Sequence, residues 1–103
     1  MTIQPFPREN ADFIAQAENL LAECFPHAYG GDLARQQMAL CLEEDRIALM
    51  AAEGDRLIGF VGAIPQYGVT AWELHPLAVT ADWRKKGVGR ALVAKLEEEC
   101  AKR

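Results

Sequence analysis

Apolar positions along the chain fall into two periods, and the change between them divides it into elements. Residues 2–4 fit a short strand closed by Pro5 and Pro7. Phe13, Ile14, Ala17, Leu20, Leu21 and Cys24 then recur at the 3.6-residue spacing of an amphipathic helix, with Asn10 as its expected N-cap and Pro26 as its stop. Residues 25–31, with one proline and paired glycines, read as a loop. Asp32 is placed to cap a second helix running to about residue 44 and burying Leu33, the Gln36 stem, Leu40 and Cys41. From Arg46 the pattern shortens. Residues 46–53 form a strand, Gly54 and Asp55 a turn, and residues 56–64 a return strand carrying Leu57, Ile58, Phe60, Val61 and Ile64, so an antiparallel hairpin is expected. Gly59 and Gly62 inside it predict a bulge or a close approach of another element. Residues 65–68 end that strand, residues 69–79 make a third, and a last helix over 88–102 buries the stripe Val88, Leu92, Val93, Leu96 and Cys100. The order is strand, helix, helix, three strands in a meander, helix. That is an α+β chain without repeats.

Composition narrows the function classes. A chain of 103 residues holds one domain and a single core. A net charge of −4 argues against a general nucleic-acid binder, whose footprint is basic, and suits a cationic partner. No apolar run approaches the ~20 residues that span a bilayer, and the N-terminus lacks a basic-then-apolar leader, so neither a membrane nor an export role is expected. Cys24, Cys41 and Cys100 are odd in number and far apart, the pattern of reduced, buried thiols in a cytoplasmic protein; no metal site is expected.

The chemistry concentrates in residues 72–92. Arg84, Lys85 and Lys86 stand beside Gly87 and Gly89 where the last helix begins. Cations there oppose the positive end of the helix dipole, and become favourable when an anion such as a phosphate docks on the free N–H groups. The turn matches neither the P-loop pattern nor the three-glycine dinucleotide fingerprint. Pro76 interrupts the preceding strand and predicts a splayed sheet, with the backbone of Leu77 and Val79 open to a ligand bearing amides of its own. Glu73 and His75, two apart, are placed on one face, where a carboxylate and an imidazole can hold an ammonium and relay its proton. A solvent-facing glutamate and a satisfied histidine explain the same two residues. His27 and Tyr29 lie in the loop between the helices, where a substrate lip is expected.

An arm with amides that ends in a pyrophosphate describes coenzyme A. Arg84-x-x-Gly87-x-Gly89 after a broken apolar strand resembles the acetyl-CoA motif of the GNAT N-acetyltransferases. The run over residues 59–77, Gly-Phe-Val-Gly-Ala-Ile-Pro-Gln-Tyr-Gly-Val-Thr-Ala-Trp-Glu-Leu-His-Pro-Leu, is similar to that of the aminoglycoside 6'-N-acetyltransferases of the enterococcal kind. The resemblance implies the following roles. The Leu77 N–H polarises the thioester carbonyl and stabilises the oxyanion. Ala78 and Val79 pair with pantetheine. Arg84, Lys85, Lys86, Gly87, Val88, Gly89 and Arg90 cradle the phosphates. Glu73 holds the substrate ammonium and helps remove its proton, His75 supports that placement, and Tyr29 and Trp72 line the substrate side. The implied reaction is direct attack of a small-molecule amine on acetyl-CoA, most closely the 6'-amino group of an aminoglycoside, as in antibiotic resistance. The acidic residues Glu43, Glu44 and Asp45 suit a polycationic acceptor, and equally a solvated charged face.

Members of that family continue past the last helix with further strands and a helix, so the resemblance covers the N-terminal part of their fold. The expected general acid, a tyrosine, has no counterpart here. The strand over 71–79 is expected to expose an apolar edge and to favour a homodimer. Two other readings stay open: a polyamine or protein-amine N-acetyltransferase, and a non-catalytic CoA-binding or assembly module.

Overall fold

The structure, a computed structural model, describes residues 1–66 and 71–102; for Pro65, Gln66, Ala71, Trp72 and His75 it describes the backbone alone. Its elements are β1 (Thr2–Pro5), α1 (Ala11–Cys24), α2 (Pro26–Tyr29), α3 (Leu33–Cys41), β2 (Ile47–Glu53), β3 (Arg56–Gln66), β4 (Ala71–Val79), a 3-10 turn (Ala81–Trp83) and α4 (Val88–Ala101). The four strands form one antiparallel sheet in the order β1-β2-β3-β4. The expected α+β order is met. The start proposed for the third strand, residues 69 and 70, lies outside the described residues.

Alternation along β2 shows how the layers assemble. Ala48, Met50 and Ala52 pack with Ala17, Leu20, Leu21, Tyr29, Ala34 and Met38 on one face. Ile47, Leu49 and Ala51 pack with Val88, Leu92 and Leu96 on the other. A strand buried on both faces reads as an unbroken apolar run, as this one does. The sheet is therefore sandwiched, with α1 to α3 on one side and α4 on the other. Asn10 caps α1 as expected, its Oδ1 accepting from the Phe13 N–H at 3.0 Å. Gln16 then ties α1 to the hairpin: its Oε1 accepts from the Leu57 N–H and its Nε2 donates to the Asp55 carbonyl, both at 2.8 Å.

Expectations about the two segments that follow α1 are corrected. The segment after α1 is not all loop. Pro26 ends α1 but also opens the single turn α2, because the first helical position needs no N–H and favours the proline φ. In α3 the buried residues are Ala34, Met38 and Cys41, while Leu33 and Leu40 are 48% and 44% exposed and Gln36 is exposed. Two stripes compete on that short helix, and packing against α1 selects the one with a small residue at the contact. Asp32 precedes α3 without a side-chain cap, and α3 ends at Cys41 rather than near residue 44.

Gly59 sits where α4 crosses β3. A Cβ there would lie 2.9 Å from Leu92 Cδ1, 3.3 Å from Val88 Cγ1 and 3.2 Å from the Ala78 carbonyl oxygen. We predict that Gly59→Ala destabilises the fold by ~1–3 kcal/mol through overpacking, read as a lower urea midpoint at unchanged m-value. An unchanged midpoint would show that α4 does not seat this closely.

Candidate active site

The site forms where β4 runs out into α4. Between Val61 and Ala63 the β3–β4 register slips: Leu77 opposes Val61, yet Leu74 opposes Ala63. Three steps of β4 thus span two of β3, which is a bulge, and it contains Pro76. The missing proline N–H falls where the ladder is already interrupted. Past the bulge, the Thr80 N–H donates to the Ile58 carbonyl at 2.8 Å. Backbone polar groups alternate along an antiparallel strand, so Ala78 faces β3 while Leu77 and Val79 turn their N–H and C=O groups to the outer edge. The outward direction is as expected, but the Val79 carbonyl is not open, since it accepts from Arg84 Nε at 3.0 Å.

The bulge also resets the side chains. Leu77 and Val79 pack toward α4. Glu73 opposes Ile64, whose neighbour Ala63 faces α4, so Glu73 lies on the α1–α3 side of the sheet and is exposed. Simple alternation, which would place residues 73 and 77 on one face, is overridden here. The His75 and Trp72 side chains lie outside the described residues. Tyr29 comes to the same edge. It lines a recess of about 160 Å³ with Phe25, Ala28, Leu74, Pro76 and Leu77, its ring edge-on to Phe25 at 5.7 Å between centroids. Burial pushes its phenol up from the ordinary value, so the hydroxyl keeps its proton at neutral pH. His27, in α2, is exposed.

Beyond β4, Val79, Trp83, Arg84, Lys85, Gly87, Val88, Gly89 and Arg90 line a cleft of about 440 Å³. Gly87 is the α4 N-cap at φ +85°, a conformation that favours glycine, and no side chain caps this helix, whose first residues line the cleft. Lys85 also has a positive φ, +64°. Gly89 differs from Gly87: a Cβ there would touch only Val79 Cγ2 and Leu77 Cδ2, at 3.8 and 3.9 Å. The protein's own packing does not require that glycine, whereas a ligand pressed onto the turn would. The three cations precede α4 rather than occupying its first turn, and two have local partners. Lys86 Nζ lies 5.4 Å from the centroid of the Trp83 ring. Arg84 donates from Nε to the Val79 carbonyl at 3.0 Å and from Nη2 to Cys24 Sγ at 3.2 Å.

Trp83 and Cys24 belong to the site's surroundings and were not among the expected residues. The tryptophan adjoins the Arg84 motif and was open to notice; Cys24, sixty residues upstream of Arg84, carried no sequence signal. The acidic run is partly structural, since Arg46 lies 3.7 Å from Glu43 and 3.8 Å from Asp45. Among the described residues no cluster of metal-binding side chains occurs.

Fold and site together define an acyltransferase-type architecture, a bulged edge strand leading into a glycine turn and helix. The chain belongs to the acetyltransferase (GNAT) family, whose model matches residues 14–103. It is similar, at 43% identity over 99% of its length, to three solved structures. One is an aminoglycoside 6'-N-acetyltransferase complexed with coenzyme A (TM-score 0.94), another an aminoglycoside 6'-acetyltransferase type Ii (0.92), and a third the aminoglycoside 6'-N-acetyltransferase from Enterococcus faecium (0.91). The chain spans 56%, 65% and 56% of the length of those chains. No curated protein matches it.

One ion pair holds the turn in place. Arg56, at the start of β3, grips Asp82 through two hydrogen bonds of 2.8 and 2.7 Å. The guanidinium holds the Asp82 carboxyl down at about 2, from an ordinary 3.8. A depressed carboxyl stabilises the fold above its unfolded pKa and loses that contribution as pH falls through the folded one. We therefore predict that wild type melts slightly above Asp82→Asn at pH 6, and that the gap closes between pH 4 and about 2. Both residues are half-exposed, so the gap should be small and shrink in high salt. A gap independent of pH would remove the ion pair as its source.

Proposed function

We propose that residues 1–103 form one unit of an acetyl-CoA-dependent N-acetyltransferase whose acceptor is the 6'-amino group of an aminoglycoside. The observation that carries this reading is the continuity of the groove. The outward backbone groups of Leu77 and Val79 lead along the β4 edge into the 440 Å³ cleft at the N-terminus of α4. An amide-bearing arm fits the first part and a pyrophosphate the second. The solved relative with coenzyme A and the 43% identity support the choice of ligand.

In this reading the N–H groups at the start of α4 receive the pyrophosphate, with Lys85, Lys86 and Arg90 supplying charge around Val88 and Gly89. Val79, next to Ala78, pairs with the pantetheine amides. The Leu77 N–H donates to the thioester oxygen, where negative charge grows during attack. Glu73 holds the acceptor ammonium and takes up its proton, directly or through water, with His75 supporting it. Tyr29 and Trp72 line the acceptor side, Tyr29 with its phenol protonated. The acetyl-CoA itself supplies the activated acyl group; the protein's part is positioning and charge stabilisation.

The same edge supports a homodimer: Leu74 is 39% exposed beside an apolar recess of about 280 Å³ that it shares with Ala63, Leu96, Glu97 and Cys100. None of the three cysteines is in a disulfide, which is compatible with a reducing, cytoplasmic setting. No described helix is long and apolar enough to cross a membrane.

The test is thiol release from acetyl-CoA by the 103-residue chain, with a 6'-amino aminoglycoside, its 6'-hydroxy analogue and a polyamine as acceptors. Turnover with the first alone is expected, and Glu73→Gln should lower kcat/KM by ~10²-fold or more. Equal turnover of the polyamine would replace the acceptor assignment. Absence of both turnover and coenzyme A binding would overturn the enzymatic reading.

A further inference from the structure

The outward Val79 carbonyl already has partners. Arg84 Nε donates to it at 3.0 Å, and the Cys24 thiol approaches it at 3.7 Å, so both lone pairs of that oxygen are engaged. The far end of the same guanidinium rests on Cys24 Sγ at 3.2 Å. Arg84 therefore lies across the edge of β4 at the point where a ligand amide would pair, and it also lines the cationic cleft. Its two present partners, a carbonyl and a thiol, carry no charge, whereas a phosphate offers the guanidinium a full negative charge and two oxygens in bidentate geometry.

We infer that Arg84 is a latch between the two halves of the groove. On Val79 and Cys24 it closes the β4 edge to an incoming amide. An anion at the Gly87 turn draws the guanidinium off and opens the Val79 carbonyl to the ligand's N–H. Cys24 is the positioning residue that holds the latch shut. The anionic and amide-bearing parts of a ligand thus bind cooperatively even when they are separate molecules, because each favours the same position of Arg84. This rests on the coenzyme A reading proposed above, and concerns how that groove selects a ligand carrying both parts.

The test uses inorganic pyrophosphate and pantetheine as separate probes, followed by amide resonances of residues 77–90 in the 103-residue chain. Saturating pyrophosphate should tighten pantetheine binding roughly five-fold or more, and pantetheine should tighten pyrophosphate binding by the same factor. Arg84→Met should bind pantetheine more tightly than wild type, bind pyrophosphate more weakly, and lose the coupling. Cys24→Ala, which removes only the support, should bind pantetheine more tightly while keeping its affinity for pyrophosphate or improving it. A residue serving only as a phosphate ligand would leave pantetheine affinity unchanged in both variants, and that result would overturn the latch. Should Arg84→Met lose its folded spectrum, Cys24→Ala decides by the same comparison. Failure of wild type to bind pyrophosphate, pantetheine or coenzyme A would instead remove the groove reading, and the latch with it.

Discussion

The groove depends on one absent hydrogen-bond donor, the nitrogen of Pro76. A strand that must pair along its length cannot keep a proline in mid-ladder, so β4 takes an extra residue between Leu74 and Leu77. That residue resets the alternation. Leu74 and Leu77 are three apart, yet Leu74 opposes Ala63 on the α4 side and Leu77 packs toward α4, while Glu73 stays on the opposite face. The slip puts Leu74 and Leu77 on one face of the sheet and the Glu73 carboxylate on the other. Without it, the side chains of Glu73 and Leu77 would share a face.

Electrostatics at the far end is arranged by the chain before any ligand is considered. Three consecutive cations at a helix start repel one another and the helix dipole. The fold moderates this by placing them in the preceding turn, with Lys86 beside the Trp83 ring and Arg84 on Val79 and Cys24. Asp82, immediately upstream, is occupied by Arg56 and is not available to neutralise the cluster. The positive charge is held in place, not cancelled.

The sequence made the elements legible where one period dominated. The α1 stripe packs as expected, and Val88, Leu92, Leu96 and Cys100 of α4 do so too, while Val93 stays outside the core cluster; the strand expected over residues 46–53 is β2. The broken strand and the glycine turn were legible because proline and glycine act locally. In α3 the stripes tie: Cys41 is buried as expected, but Leu33 and Leu40 compete with Ala34 and Met38 for the rest of the face, and the leucines suggested the wrong side. A small residue packs closer to a neighbouring helix, which is a property of α1 and α3 together. The Cys24–Arg84 contact was illegible for the same reason, since it exists only because the end of α1 meets the end of β4. The faces of Glu73 and Leu77 required the register as well as the presence of a bulge.

The position of the glycine turn is in turn a consequence of the core. Val88 and Leu92, one turn apart on α4, lie over Gly59, and the lack of a side chain there lets the helix approach β3 and the Ala78 carbonyl closely. Sliding or lifting α4 by the width of a methyl group would move its first N–H groups relative to Val79, because helix and turn are one rigid piece. Gly59, buried under the helix, therefore helps set the spacing between the β4 edge and the Gly87 turn. Gly87 fixes the direction in which the turn leaves the helix, through its φ of +85°. Gly89 does neither of these; it keeps the approach to the N–H groups open. The three glycines act on one distance, one angle and one opening, and together these set the shape of the groove between β4 and α4.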